Sequence, residues 1–552
     1  VLSVRKTSLK GRCNGELCGK LLERNRAWQR WSGCGRLELL SNDPSRPGIT
    51  RRICPMSFFV NALGVPLPYS GASSHWYSAA GSGPDLYGSP ENDSFYGASG
   101  VNVTMHGGTG DDIYYLYAAG NKVADAAGAG IDTISTWMSY KLPDNVENLV
   151  VTNANNYAFG NGLDNIITAK AGHQTLDGGA GNDVLIDGGG GYDTFIVSKG
   201  NGSDLIANFA ATDTVRLNGY GFTSFDAIHA SMVQAGSNVL LNLGSGEILE
   251  FKDTTIDKLQ PSQFELPIDK SGMQLSFSDD FNTLNLHNSQ GGTWDSNFWW
   301  GAPNGSTLSS NNELQWYIDA NYAPTSSVHP FSVNNGVLTI TAAQAPADIK
   351  PLINNYEYTS GILTTHDSFS QTYGYFEIRA DLPEHAGAWP AFWLLPEDGS
   401  WPPELDVVET IGQAPNSLIM TAHSNETGTH TKVTSIVSVS NPDGFHTYGL
   451  LWTPDKLVWT YDGVQVAETA TPSDMNKPMY MLVDLAVGGL AGAPPDHLAT
   501  PAEMKIDYVR AYTLDSAPAN ALNITSSSVG THSVAPHGNS TLHGGSEFGG
   551  HA

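Results

Sequence analysis

Three carboxylates crowd the stretch Trp401-Pro402-Pro403-Glu404-Leu405-Asp406-Val407-Val408-Glu409-Thr410. In a β-strand alternate side chains share a face, so Glu404 and Asp406 point the same way and Glu409 points the other. One extra residue at Val407-Val408, a β-bulge, restores the phase and brings all three acids to one face, with Leu405 and a valine packed behind. Acids this close raise one another's pKa, so one can hold a proton near neutrality while another stays ionised, as general acid–base chemistry requires. A solvated acidic surface is the plainer reading, but the flanks argue against it. Ala388-Trp389-Pro390-Ala391-Phe392-Trp393-Leu394-Leu395 lies upstream and Trp401 adjoins. Alternation puts Trp389 and Trp393 on one face and leaves Phe392 and Leu394 for a core. Flat indoles beside paired acids suit the C–H faces of pyranose rings.

The elements that must position these groups are strands. Val337-Leu338-Thr339-Ile340-Thr341 alternates, as does Leu457-Val458-Trp459-Thr460-Tyr461, which turns at Asp462-Gly463. Strands and turns at this spacing over 267–515 predict an all-β sandwich or jelly roll. Glu377 and Arg379 share a face of a further strand, as substrate contacts or as a surface ion pair. His423 faces the same way as Thr421, beside the acids or incidentally.

E-x-D-x-x-E preceded by W-P-A-F-W resembles the signature of glycoside hydrolase family 16 in its bulged, laminarinase-like form. Further matches follow in order: Asn312-Glu313-Leu314-Gln315-Trp316-Tyr317, Tyr373-Gly374-Tyr375-Phe376-Glu377-Ile378-Arg379, Leu451-Trp452-Thr453-Pro454-Asp455, Leu485-Ala486-Val487-Gly488-Gly489 and Asp507-Tyr508-Val509-Arg510-Ala511-Tyr512. The resemblance implies a jelly-roll β-sandwich and a retaining endo-1,3-1,4-β-glycanase-like hydrolase of a β-linked polysaccharide. Glu404 would be its nucleophile, Glu409 its general acid/base and Asp406 the residue that tunes the nucleophile, with the two glutamate carboxyls about 5–5.5 Å apart. It also implies substrate contacts at Trp389, Trp393, Glu377, Arg379, His423, Trp316 and Asp484, the last standing where the family often has an amide. Asp507, with the Gly336 carbonyl, matches a structural calcium site.

Residues 85–266 carry a different chemistry. Gly178-Gly179-Ala180-Gly181-Asn182-Asp183-Val184-Leu185-Ile186 is followed by Gly188-Gly189-Gly190-Gly191-Tyr192-Asp193-Thr194-Phe195-Ile196, and Gly107-Gly108-Thr109-Gly110-Asp111-Asp112 gives an earlier copy. Glycines permit tight turns with inward carbonyls, aspartates add hard anionic oxygens for Ca²⁺, and the apolar residue that follows starts a short strand. These copies resemble the repeats-in-toxin nonapeptide, which implies a calcium-binding parallel β-roll. Expected ligands are Asp112, Asp183, Asp193, Gly178, Gly181 and Gly188. The tandem copies start ten residues apart, with Asp187 added. The resemblance further implies an extracellular protein exported from a Gram-negative bacterium by type I secretion machinery, its roll folding in external calcium. A calcium-stabilised spacer without a transport role is the alternative. Together the two regions resemble the secreted exopolysaccharide (succinoglycan-type) endo-glycanases of rhizobia.

Charge supports this division. Residues 1–55 hold 12 of the 27 Lys+Arg but only 4 of the 55 Asp+Glu, and all four cysteines (Cys13, Cys18, Cys34 and Cys54) fall among them. That basic head could be a nucleic-acid arm, but Met56 is a plausible start, so 1–55 reads as a disordered, non-native upstream extension and no nucleic acid as a partner. No run of 18 apolar residues occurs, so no membrane span is expected. Residues 56–84 form an N-terminal segment. Residues 516–552, rich in Ser, Gly and His, are expected to be disordered. A monomer acting on a polysaccharide is the expectation. A glycan-binding matrix adhesion protein and a transglycosylase are the competing functions.

Overall fold

The computed structural model describes residues 75–79, 85–288 and 290–514. The expectations for 1–55 and for the tail lie outside these residues. The chain divides into two compact units: residues through Ile134 together with Asn145–Leu149, and Ser135–Asp144 together with residues from Val150 onward. Both are built almost wholly from β-strands.

The first unit is a parallel β-solenoid. His75–Ser78, Asp93–Tyr96 and Ile113–Leu116 stack in register in one sheet, and Asp85–Tyr87, Val103–His106 and Asn121–Val123 in another. Consecutive strands thus fall in alternate sheets, which is the path of a coil. Its interior is aromatic: Tyr77, Phe95 and Tyr114 stack at centroid spacings of 4.9 and 5.1 Å.

The second unit opens with coils of the same kind. Ile166–Ala169, Val184–Asp187, Leu205–Ala207 and Glu247–Phe251 pair in parallel, opposite Tyr140–Lys141, Tyr157–Phe159, Thr175–Asp177, Thr194–Ser198, Thr214–Asn218 and Phe264–Glu265. The two tandem glycine–aspartate motifs feed Val184–Asp187 and Thr194–Ser198, so one motif turns each side of a coil. Glycine is obligatory at Gly181, whose φ is +137° and where a Cβ would lie 2.3 Å from the Leu163 carbonyl oxygen. The antiparallel strands Met232–Ala235 and Asn238–Gly244 extend the first sheet beyond Glu247–Phe251.

The remainder of this unit is two facing sheets. One contains Val337–Gln344, Ala502–Leu514, Gly374–Asp381, His446–Trp452 and Lys456–Tyr461. The other runs Ile362–Thr364, Met479–Val487, Ala388–Pro396, Glu404–Glu409, Ser417–Ser424 and Thr431–Ser438. Phe376, Ile378, Leu450 and Trp452 from the first meet Phe392, Leu394, Leu405, Val407, Val408, Met420 and Val483 from the second in one buried cluster. Strict alternation therefore turns Trp389, Trp393 and Asp484 to the far face of the second sheet.

That geometry corrects two expected substrate contacts. Because Phe376, Ile378 and Ala380 point into the core, Glu377 and Arg379 face outward from the other sheet, with the sandwich core between them and the acids. Glu377 is buried against Lys270 Nζ at 2.7 Å, and Arg379 Nη1 pairs with Asp507 Oδ2 at 2.6 Å. They are ion pairs. Asp507, expected to ligate calcium, spends its carboxylate on Arg379, and Gly336 makes the turn before Val337–Gln344 with φ +78°.

Candidate active site

The strand Glu404–Glu409 carries the predicted bulge. On one side Asp406 pairs with Trp393 and Val408 with Phe392, leaving Val407 as the extra residue. On the other, the four residues Asp406 to Glu409 oppose the three from Thr421 to Ile419. The interrupted ladder leaves the Asp406 carbonyl to accept a hydrogen bond from the buried Trp459 indole at 2.9 Å. Leu405, Val407 and Val408 all enter the core, so Glu404, Asp406 and Glu409 share the opposite face. Leu405 and the two valines anchor this strand; cutting Leu405 back to alanine would cost about 2–5 kcal/mol.

Two of the three acids accept from an indole. Trp401 Nε1 donates to Glu404 Oε2. Trp389 Nε1 donates to Glu409 Oε1 at 2.9 Å. His423 lies opposite Glu404 in the ladder, with Nε2 3.4 Å from Asp406 Oδ2. One ligating atom each from Glu404, Asp406 and His423 falls within 4.8 Å of the others. Asp484 accepts from the Tyr317 hydroxyl at 2.7 Å and from Trp393 Nε1 at 2.8 Å.

Electrostatics follow from burial. Desolvation pushes Glu404 up to about 8, with the Asp406 charge adding to it. Desolvation and then the Glu409 charge hold Asp406 well above the carboxylate range. Glu409 rises to about 7 through burial and then through Glu404, while its bond from Trp389 opposes the rise. Burial lifts Asp484 to about 6 and lowers His423 below its usual value. Such groups titrate as one system, and the site retains protons at neutral pH.

Of the expected contacts, Trp389, Trp393, His423 and Asp484 gather on this face. Trp393 is 8% exposed and holds Asp484, so it supports the groove floor and offers no sugar platform. Trp316 is misplaced: its indole is buried among Ile318, Ala345, Ile349 and Ile353 and donates to the Asn304 carbonyl at 3.0 Å. Its neighbour Tyr317 reaches the site instead. The alternation Glu313-Leu314-Gln315-Trp316-Tyr317 already separates Trp316 from the polar face, and that signal was enough to prefer Tyr317. Glu313, pushed up to about 8 by burial and then by Asp484, accepts from Gln315 Nε2 at 2.7 Å. Also unforeseen are the exposed indoles of Trp299 and Trp300. Trp299 lies over His366, which stands edge-on to Tyr480 at 5.0 Å, on the groove side of Met479–Val487.

In the coils the expected aspartates form ladders. Asp112 Oδ1 accepts from the Asp93 N–H at 2.8 Å and Asp132 Oδ1 from the Asp112 N–H at 2.7 Å. In the second unit Asp183 Oδ1 accepts from Asn165 N–H at 2.7 Å and Asp193 Oδ1 from Gln174 N–H at 2.6 Å. The other oxygen of Asp112, Asp132, Asp183 and Asp193 is buried and accepts no hydrogen bond. Desolvation is the main reason these acids rise, to about 7, 9, 9 and 8 respectively. Asp187, Asp193 and Asp213 bring ligating oxygens within 4.8 Å of one another. Gly178 lies so close to Asp183 that a Cβ would sit 2.1 Å from its Oδ2; Gly181 and Gly188 make the neighbouring turns.

Buried, proton-holding carboxylates on a sheet face lined by indoles define a glycan-cleaving site on a β-sandwich. Residues 318–510 match the family model for glycosyl hydrolases family 16. Over 457 residues the chain is 60% identical to the endo-1,3-1,4-beta-glycanase ExsH of Rhizobium meliloti, covering 83% of this chain and 98% of that protein. It is 57% identical over 456 residues to the endo-1,3-1,4-beta-glycanase EglC of the same organism, with the same coverage. A beta-glucanase of Rhodothermus marinus is 33% identical over 226 residues, 37% of this chain and 74% of that one. The chain belongs to glycosyl hydrolases family 16 and is a glycoside hydrolase.

Proposed function

We propose that the chain is an exported endo-β-glycanase that cuts internal bonds of a β-1,3/1,4-glucan-like or succinoglycan-like exopolysaccharide by retaining double displacement, on a sandwich of jelly-roll type. The bulged strand carries this reading, because it keeps Glu404, Asp406 and Glu409 on one face beside Trp389 and Trp401. The names of the two Rhizobium relatives support the bond class.

In the productive form Glu404 is ionised, its anion held by the Trp401 N–H, while Asp406 and Glu409 carry protons; with Glu404 at about 8 and Glu409 at about 7, this is the minor arrangement of the proton the two glutamates share. Glu404 attacks the anomeric carbon as Glu409 gives its proton to the departing glycosidic oxygen, leaving a glycosyl ester on Glu404. Glu409, now a carboxylate, takes a proton from water, whose oxygen displaces Glu404 and restores the original configuration. Asp406, kept protonated by burial and then by the Glu409 charge, would stabilise the Glu404 anion as the ester forms and breaks.

The solenoid aspartates fit a hard cation, since a buried carboxylate oxygen without a donor is what Ca²⁺ coordination satisfies. Asp112, Asp132, Asp183 and Asp193, with glycine-turn carbonyls such as those of Gly178, Gly181 and Gly188, would hold it. Bound calcium would neutralise these acids and lock neighbouring coils. An acidic chain that folds only in external calcium suits type I export from a Gram-negative cell as a monomer.

The test is to incubate the chain, with and without calcium, against a panel of β-linked polysaccharides and size the products. Mid-length fragments should appear first with calcium, and none with Glu404→Gln. Release of only mono- or disaccharides from chain ends, or full activity in the variant, would overturn the reading.

A further inference from the structure

One side chain touches both Trp401 and His423, the neighbours of Glu404 and Asp406, and the double displacement gives it no task. His430 ends the turn between the strands Ser417–Ser424 and Thr431–Ser438, which pair antiparallel. Its Nε2 lies 2.8 Å from Nδ1 of His423, and the two rings stack at 5.1 Å and 19°. Its other neighbour is Trp401, at a centroid distance of 4.9 Å. A closed circuit results: Glu404 accepts from Trp401, Trp401 contacts His430, His430 bonds His423, and His423 faces Asp406.

A 2.8 Å contact between two imidazole nitrogens holds one proton. If His430 donates, a neutral His423 has its lone pair on Nδ1 and its proton on Nε2, directed at Asp406. If His423 donates instead, its bare Nε2 meets Asp406, an arrangement that only a protonated Asp406 tolerates. The groups around the pair decide between them. Glu404 and Asp406 face it from the bulged strand, and Lys432 acts on both histidines from Thr431–Ser438. Glu426 and Asp474 at the same turn are engaged, with the Ser473 N–H and with Ser424 and Asn425 respectively. The Glu404 anion favours an N–H pointing toward the acids, and an Asp406 that gives its proton to Glu404 leaves its other oxygen to accept that N–H. Burial, with Lys432 added, outweighs the Glu404 charge and opposes a second proton on His423, which leaves the neutral Nε2–H tautomer.

We propose that His430 is a positioning residue that fixes His423 in the tautomer whose Nε2–H faces Asp406, confining the proton shared by Asp406 and Glu404 to their mutual contact. The proposal rests on the enzymatic reading above. Without His430, His423 can turn its lone pair to Asp406, and the Glu404–Asp406 pair then keeps its proton to higher pH and delays ionisation of the nucleophile.

His430→Phe keeps a flat ring against Trp401 and His423 but has no N–H. It should lower kcat about tenfold with KM changed less than about twofold, and move the acidic limb of the kcat profile up by roughly half a pH unit or more. His430→Gln, whose amide can donate, should recover kcat to within about threefold of wild type. Long-range ¹H–¹⁵N spectra of ¹⁵N-histidine-labelled full chain should show His423 as the Nε2–H tautomer in wild type and as a mixture in His430→Phe. An unchanged kcat and acidic limb in the phenylalanine variant, a glutamine variant no faster than it, or one tautomer in both proteins would overturn the role. The spectra need no turnover, so a wild type inactive on every polymer would fail the enzymatic reading alone.

Discussion

The molecule buries acidic side chains in two regions and treats them differently. In the groove, Glu404, Glu409 and Asp484 each accept from an indole N–H, with a tyrosine hydroxyl added at Asp484. In the coils, Asp112, Asp132, Asp183 and Asp193 accept one backbone N–H from a neighbouring turn and leave the second oxygen unserved. Desolvation raises all of them. In the proposed mechanism the groove's donors orient acids that must gain and lose protons during turnover. The coil acids lack such donors at the second oxygen, which is what the proposed calcium would satisfy. If both proposals hold, burial alone does not tell a catalytic carboxylate from a metal ligand; the partner of its second oxygen does.

The largest effect should come from the groove. Glu404→Gln and Glu409→Gln should each lower reducing-end release by about 10³-fold or more while thermal unfolding stays within a few degrees of wild type, since a like charge is removed from a crowded site. Deleting Val407 removes the extra residue and returns Glu409 to the core face. Activity should fall to background, and retained activity would show that the bulge does not set the phase.

Calcium chelation probes the coils, and the sign of its pH dependence is fixed. A carboxylate with a raised folded-state pKa binds its proton more tightly in the native state, so native stability falls as pH climbs from the unfolded value of about 3.9 toward the folded one. For Asp112, Asp183 and Asp193 the window closes at about 7, 9 and 8. Without calcium the melting temperature should be lower at pH 8 than at pH 5, and calcium should restore it mainly at pH 8. Equal melting at both pH values would break the contrast between the regions. On the enzymatic side, kcat should rise toward about pH 7 and decline above about pH 8, because the productive form needs Glu404 ionised while Glu409 keeps its proton, the reverse of their order of titration.

The smallest effect belongs to the outer sheet face. Arg379→Ala breaks the pair with Asp507 beyond the core from the groove, and kcat/KM should stay within about twofold of wild type. A larger loss would return Arg379 to the substrate.

What the sequence made legible tracks how local each feature is. The bulge followed from the spacing of Glu404, Asp406 and Glu409 alone, and the parity of Trp389 and Trp393 from strand alternation. The glycine–aspartate motifs gave the coils, because each motif makes one turn. Sheet membership was not legible: Glu377 and Arg379 alternate as any strand does, and nothing nearby in the chain says that their strand lies across the core. Trp316 illustrates a preference for residue type over parity, since an indole was chosen where the Tyr317 hydroxyl does the work. His430 was invisible because its role depends on a turn that folds it back onto His423 and Trp401.

The first-formed anomer, followed by proton NMR during cleavage of a β-linked polymer, tests most directly whether Glu404 and Glu409 act as nucleophile and acid/base. Double displacement predicts the β-anomer at early times, with the α-anomer growing in only by mutarotation. An initial α-anomer would contradict a covalent intermediate on Glu404.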